Sequence, residues 1–195
     1  MHDPRKQHME AAYRILKYLK GSPGKGLWFR TCGHLRIEGY CDADWTSCLD
    51  DRRSTSGYCI FVGGNPVSWH SKKQEVVARS TAKAEYRAMA VSLCEMIWIR
   101  SLLSELRLFR KNPLQLWCDN KSAINIANNP AQHDRTKHVK IDRFFIKENL
   151  YREILKLNHV KSEEQLTDCL AKGLGPKVYE IFCNKMRMVD MYRTS

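Results

Sequence analysis

Gly39-Tyr40-Cys41-Asp42-Ala43-Asp44-Trp45 is a short, mostly apolar run that ends in carboxylates. Read as a strand, it carries Asp42 to its end, and three more acids fall at the margins of expected elements. Glu85 lies near the start of a long helical pattern, Asp119 directly follows Leu114-Gln115-Leu116-Trp117-Cys118, and Asp168 lies within a helical stretch over 163–172. Each alone has a plainer reading: Glu85 complements a helix dipole and Asp119 serves as an N-cap. Together they mean something else. Four carboxylates gathered within a few ångströms repel one another and resist ionisation unless cations neutralise them. Magnesium takes oxygen ligands and keeps positions for water or substrate phosphate, and two ions roughly 3.5–4 Å apart serve phosphodiester cleavage. If the fold gathers these acids, the pattern points to a nuclease.

Outward from this stretch, residues 27–30 and 35–40 read as strands, and 56–62 with 66–70 as a hairpin across Gly63-Gly64-Asn65, residues that tolerate positive φ. Three antiparallel strands are expected early. Ser80 or Thr81 caps a helix running to about Leu106, whose apolar stripe of Tyr86, Met89, Ala90, Leu93, Ile97, Trp98 and Leu102 reads as core. A strand over 114–118 precedes a helix over 121–127. A second helix, over 138–151, carries Ile141, Phe144, Phe145, Ile146 and Leu150, and is followed by a last strand over 154–160 and the helix bearing Asp168. Asp119, at a strand's C-terminal end beside a helix start, stands where open α/β sheets keep their ligands. This order suits an α/β fold with a mixed five-stranded sheet flanked by helices.

The ends are plainer. Residues 1–19 form a basic amphipathic pattern around Met9, Tyr13, Ile15, Leu16 and Leu19, closed by Gly21-Ser22-Pro23-Gly24; such a stripe ordinarily packs on a neighbour. From Pro176 a helical pattern in Val178, Ile181, Phe182 and Met186 leaves docking and mobility both open.

The 195 residues suffice for one domain with a real core. Apolar residues make up 43% and charged residues 28%, which excludes a disordered class. A formal charge of +12 favours a polyanionic partner. Eight cysteines without a Cys-x-x-Cys pair or signal peptide read as reduced thiols in cytoplasm or nucleus, and no apolar run approaches the roughly 18 residues of a membrane helix. Arg52 and Arg53 fit a phosphate contact and a solvated loop equally; Lys72 and Lys73, after a strand beside the expected cleft, lean toward nucleic acid. His133, His138 and His159 lack the thiol pair of a zinc module, and no His-Glu-x-x-His, phosphate-binding glycine loop or Gly-x-Ser-x-Gly elbow is present.

Several blocks, in fixed order, carry a resemblance. The first stretch, Asp51-Arg52-Arg53-Ser54-Thr55-Ser56-Gly57-Tyr58, Val67-Ser68-Trp69-His70-Ser71-Lys72-Lys73-Gln74, Ser80-Thr81-Ala82-Lys83-Ala84-Glu85-Tyr86, Cys118-Asp119-Asn120 and Asp168-Cys169-Leu170-Ala171-Lys172 resemble the ribonuclease H segment of copia-type retrotransposon Pol polyproteins, many of them from plants. The resemblance covers roughly residues 4–174. It implies a ribonuclease H-like fold, with Asp42, Glu85, Asp119 and Asp168 holding two magnesium or manganese ions. Asp42 rather than Asp44 matches the first-strand acid.

The implied substrate is the RNA strand of an RNA–DNA hybrid, read through phosphates and 2′-hydroxyls and bound more weakly as salt rises. The implied partner is the reverse transcriptase portion of the parent polyprotein. Residues 1–36 are then expected to be a remnant of the polymerase-to-ribonuclease H connection, 37–175 the ribonuclease H-like domain and 176–195 a tail. One departure is visible: between Val160-Lys161-Ser162 and Asp168 there is no room for the histidine-bearing loop of cellular ribonucleases H, so turnover is expected to be slow. The alternative reading is a catalytically silent, nucleic-acid-binding remnant of a decayed element.

Overall fold

The computed structural model describes residues 3–21, 23–46, 51–108, 111–129, 137–171 and 175–192. The chain begins with α1 (Lys6–Gly21) and the short β1 (Lys25–Leu27), then enters the main sheet through β2 (Ile37–Asp44), β3 (Thr55–Val62) and β4 (Asn65–Lys73). The long α2 (Thr81–Glu105) leads to β5 (Leu114–Cys118), α3 (Lys121–Asn128), α4 (Lys137–Tyr151) and β6 (Leu155–His159). A 3-10 turn (Ser162–Glu164), α5 (Asp168–Ala171), α6 (Pro176–Lys185) and β7 (Met188–Asp190) complete it.

The five-stranded sheet has the order β4-β3-β2-β5-β6. The β2, β3 and β4 strands are antiparallel neighbours, whereas β5 runs parallel to β2 and β6 parallel to β5. This is the expected mixed sheet. The hairpin between β3 and β4 turns on Gly63 and Gly64, both at positive φ, as a two-residue turn matched to strand twist requires. Asn65 belongs to β4, and its side chain ties down the main chain of Arg30.

Strand alternation sorts β2 into two faces. Ile37, Cys41 and Ala43 face α2, where Ala84, Met89, Leu93 and Met96 pack with Ile60, Leu114 and Leu116. Gly39 falls on this face by the same alternation, and Met96 fills the space a side chain would take there: a Cβ would sit 2.7 Å from the Met96 sulfur and 3.0 Å from Ile60 Cδ1. On the opposite face Cys59, Phe61, Leu166 and Met186 form a second cluster, against which Tyr40, Leu170 and Phe182 pack.

Several sequence expectations are corrected. Trp98 and Leu102 are exposed at 60% and 41% rather than core. Five and nine residues beyond Leu93, they lie roughly 140° and 180° around the helix from it. Ile141 and Phe144 likewise point away from buried Ile146. The stretch 163–172 is no single helix, since the 3-10 turn is followed by Gln165 in an extended conformation and a turn at 166–167 before α5 starts at Asp168; Lys172 lies outside the described residues.

The strand expected over 27–30 instead spans Lys25–Leu27, and its partner is the tail, through Lys25↔Asp190 and Leu27↔Met188. The tail therefore docks, and β6 is not the last strand. Met186 seats α6 in the second cluster. No residue of α1 is buried; among the described residues its side-chain tie to the remainder is the Tyr18–Tyr179 pair, hydroxyl to hydroxyl with rings edge-on. Among the described residues no helix is long and apolar enough to cross a membrane.

Candidate active site

Asp42 stands two residues before the end of β2, the central strand, and is fully buried. Asp119 follows directly on β5, the parallel neighbour, before Asn120 caps α3 by accepting from Ala123 N–H. Glu85 rises from α2 about one turn after its N-cap, Ser80. Asp168 opens α5.

These four acids come from four separate elements and converge. Carboxylate oxygens of Asp42, Asp119 and Asp168 lie within 4.8 Å of one another. A second group, held to the same distance, joins Glu85 and Asp119 with the Cys118 sulfur. Asp119 is common to both. Asp44 belongs to neither group, although it lines the same cleft of about 320 Å³ with Trp45, Thr81 and Asn120.

The approach of α5 depends on a missing side chain. Asp42, Gly57 and Ser71 stand in one row across β2, β3 and β4, and α5 lies over it. A Cβ at Gly57 would come 3.0 Å from Leu170 Cβ and 3.3 Å from the Thr167 carbonyl. The Ser71 hydroxyl donates to the Leu170 carbonyl. Glycine at 57 lets the helix settle close enough for Asp168 to meet Asp42.

Electrostatics show the strain of the gathering. Burial, followed by the neighbouring Cys118, Asp42 and Asp119, pushes the Glu85 carboxyl up to about 10, against a hydrogen bond from the Ala43 main chain that favours the charged form. A carboxylate with that history is protonated at neutral pH until a cation compensates it. Hard oxygen ligands in this number suit a divalent ion.

The four basic residues singled out in the sequence stand at the same end of the sheet. Lys72 pairs with Ser56, and Ser56 with Ala43, one row beyond Asp42. Arg53 and Lys73 both reach Asp51 Oδ2, at 2.8 and 3.2 Å. Arg52, in the left-handed region at φ 55°, is exposed, as is Lys72. Of the histidines weighed for zinc, His133 and the His138 side chain lie outside the described residues. His159 instead sets Nε2 3.2 Å from the Asp119 carbonyl oxygen.

Sequence reasoning passed over three contacts. The Cys118 thiol stands 3.9 Å from Glu85 Oε2, Ser162 donates its hydroxyl to Asp119 Oδ2 at 3.0 Å, and Gln165 Nε2 donates to the Cys41 carbonyl at 2.8 Å. Only Cys118, adjacent to Asp119, carried a signal in the sequence. The other two depend on how the chain after β6 folds back.

No family model matches the chain. It is similar to the Retrovirus-related Pol polyprotein from transposon RE1 of Arabidopsis thaliana, 41% identical over 186 residues that make up 95% of this chain and 13% of the relative. It is also similar to the Retrovirus-related Pol polyprotein from transposon TNT 1-94 of Nicotiana tabacum, at 37% over 181 residues, 93% of this chain and 14% of the relative. The chain thus spans a small part of the curated relatives it matches. Among solved structures, LC11-RNase H1 aligns with a TM-score of 0.52 at 16% identity, covering 69% of this chain and 91% of that one. The complex of LC11-RNase H1 with an RNA/DNA hybrid aligns with 0.50 at 15%, covering 69% and 93%. The fold is ribonuclease H-like, a mixed five-stranded sheet with flanking helices.

Proposed function

Since the chain belongs, as a segment, to the retrovirus-related Pol polyproteins of copia-type plant transposons, we propose that it is a metal-dependent endonuclease cutting the RNA strand of RNA–DNA hybrids. The observation that carries this reading is the meeting of four acids distant in sequence: Asp42, Glu85 and Asp119 line one cleft, and Asp168 joins Asp42 and Asp119 within 4.8 Å. Structural ion pairs would bring acids to bases; here acids are brought to acids, at the cost of a Glu85 held protonated.

Asp42, Asp119 and Asp168 would hold one divalent ion and Glu85 with Asp119 a second, both magnesium or manganese. Such ions, when bound, supply water activation and charge stabilisation at the scissile phosphate. The chain's own part is to fix the ligands. The rigid central strand sets Asp42, the neighbouring parallel strand sets Asp119, and the α2 N-terminal region sets Glu85 against the Ala43 main chain. Exposed Arg52 and Lys72 would take phosphates of the hybrid along the rim, with Arg53 and Lys73 tethered beside them through Asp51. A hybrid-bound complex of LC11-RNase H1, which shares the fold, supports that substrate class. In a longer polyprotein the partner would be the reverse transcriptase portion.

Strand choice tests the substrate. The purified chain is given an RNA–DNA hybrid labelled on either strand, with duplex DNA and duplex RNA alongside. Cutting confined to the RNA of the hybrid is expected. Cutting of duplex DNA at a similar rate would overturn the substrate assignment.

A further inference from the structure

The geometry points to Ser162 as a positioning residue that aims the shared carboxylate, Asp119. This assignment rests on the metal-dependent reading above and deepens it.

Asp119 is the one acid common to both ligand groups, so its side-chain orientation governs both ion positions at once. A carboxylate on the loop just past a strand is not aimed by the strand itself. Here it is gripped at two points from one neighbouring segment. The Ser162 hydroxyl donates to Oδ2 at 3.0 Å, and the His159 ring stands 3.2 Å from the Asp119 main-chain oxygen. A hydroxyl donor takes one lone pair of Oδ2 and selects a side-chain rotamer, leaving the remaining lone pairs of the carboxylate to face the cations.

The segment that carries Ser162 is itself fixed. Ser162 opens the 3-10 turn, closed by Glu164 N–H to the Lys161 carbonyl at 2.8 Å and Gln165 N–H to the Ser162 carbonyl at 3.2 Å. Gln165 then donates to the carbonyl of Cys41, the residue before Asp42, and accepts the Thr167 hydroxyl at 2.9 Å. Asp168 follows at once. The connection between β6 and α5 is thereby fastened beside each of the three aspartates it serves: on Asp119 through Ser162, next to Asp42 through Gln165, and at Asp168 by its own end. Where the sequence leaves no room for a long loop, the short connection becomes a strap across the site.

Ser162 is the member of this strap that can be tested cleanly. Its residue is exposed, so truncation removes the donor without opening a cavity, unlike buried Gln165 or Thr167.

Calorimetric titration with manganese chloride as the probe, on the full chain, compares wild type, Ser162→Ala, Ser162→Thr and Asp119→Asn. Ser162→Ala is expected to weaken manganese binding about tenfold, with a melting temperature in chelator equal to that of wild type. Ser162→Thr, which keeps the hydroxyl, is expected to restore binding. Wild-type manganese affinity in Ser162→Ala would overturn the positioning role and leave the metal site standing. A wild-type chain that binds no manganese would overturn both.

Discussion

A carboxylate oxygen of Glu85 lies within 4.8 Å of one from Asp119, although one acid sits on α2 and the other follows β5. Two acids at that distance, one of them buried, do not both ionise in the absence of a counter-charge. The consequence is a stability that depends on pH in a defined direction.

Glu85 is raised from 4.5 to about 10 in the folded chain. Below about 4.5 it is protonated in folded and unfolded states alike and its burial carries no ionisation penalty. Above that value the unfolded chain releases the proton and the folded chain keeps it. The unfolded state then binds fewer protons, and this group's contribution falls as pH rises, until the folded carboxyl ionises near 10. In chelator, Glu85→Gln is expected to melt progressively higher than wild type between pH 5 and 9, with the gap closing toward pH 4.5. Urea unfolding across that range measures it. A constant gap would mean that Glu85 is not the titrating group.

Gly57 makes a sharper test of how the site is assembled. A valine inside a strand ordinarily favours the strand, so Gly57→Val would be neutral or stabilising if nothing lay over β3 at that point. Because a Cβ would meet Leu170 and Thr167, the substitution is expected to displace α5, carry Asp168 away from Asp42 and weaken manganese binding. Calorimetry on the variant checks this, and unchanged affinity would place α5 elsewhere.

Gly39 is constrained from the other face. Gly39→Ala pushes a methyl into Met96, Ile60 and Leu116, all fully buried. A loss of about 1–3 kcal/mol is expected in denaturant unfolding. Glycine here answers a packing need, since no positive φ is recorded for it.

Much of this was legible in the chain. A strand expected over 35–40 and running into Asp42, a Ser80 or Thr81 cap before Glu85, and the break after Cys118 before Asp119 are local signals that the structure keeps, with the strand at Ile37–Asp44 and the cap at Ser80. What could not be read locally depends on contacts distant in sequence. The strand Lys25–Leu27 exists because Met188–Asp190 returns to pair with it. Trp98 and Leu102 read as core because an apolar stripe does not announce which of its members the sheet will cover. Ser162 stood in the sequence only at the start of the short connection to Asp168, and its role appears only when β6 is laid beside β5, so that the chain past His159 reaches Asp119.

The rim predicts a salt effect. If Arg52 and Lys72 contact phosphates, hybrid affinity falls steeply with salt, and removing each as alanine reduces the slope of log K against log salt by about 1. Fluorescence anisotropy of a labelled hybrid at several salt concentrations reads the slope. Unchanged slopes in both variants would place the hybrid on another face.

The most direct measurement follows an end-labelled RNA–DNA hybrid with the purified chain in magnesium, manganese or chelator, beside Asp119→Asn. The account predicts metal-dependent cutting of the RNA strand that stops in chelator and is abolished by the substitution, since Asp119 belongs to both ligand groups. Hybrid that is bound yet left intact by the wild type under every metal condition would contradict it and leave a nucleic-acid-binding remnant with the same fold.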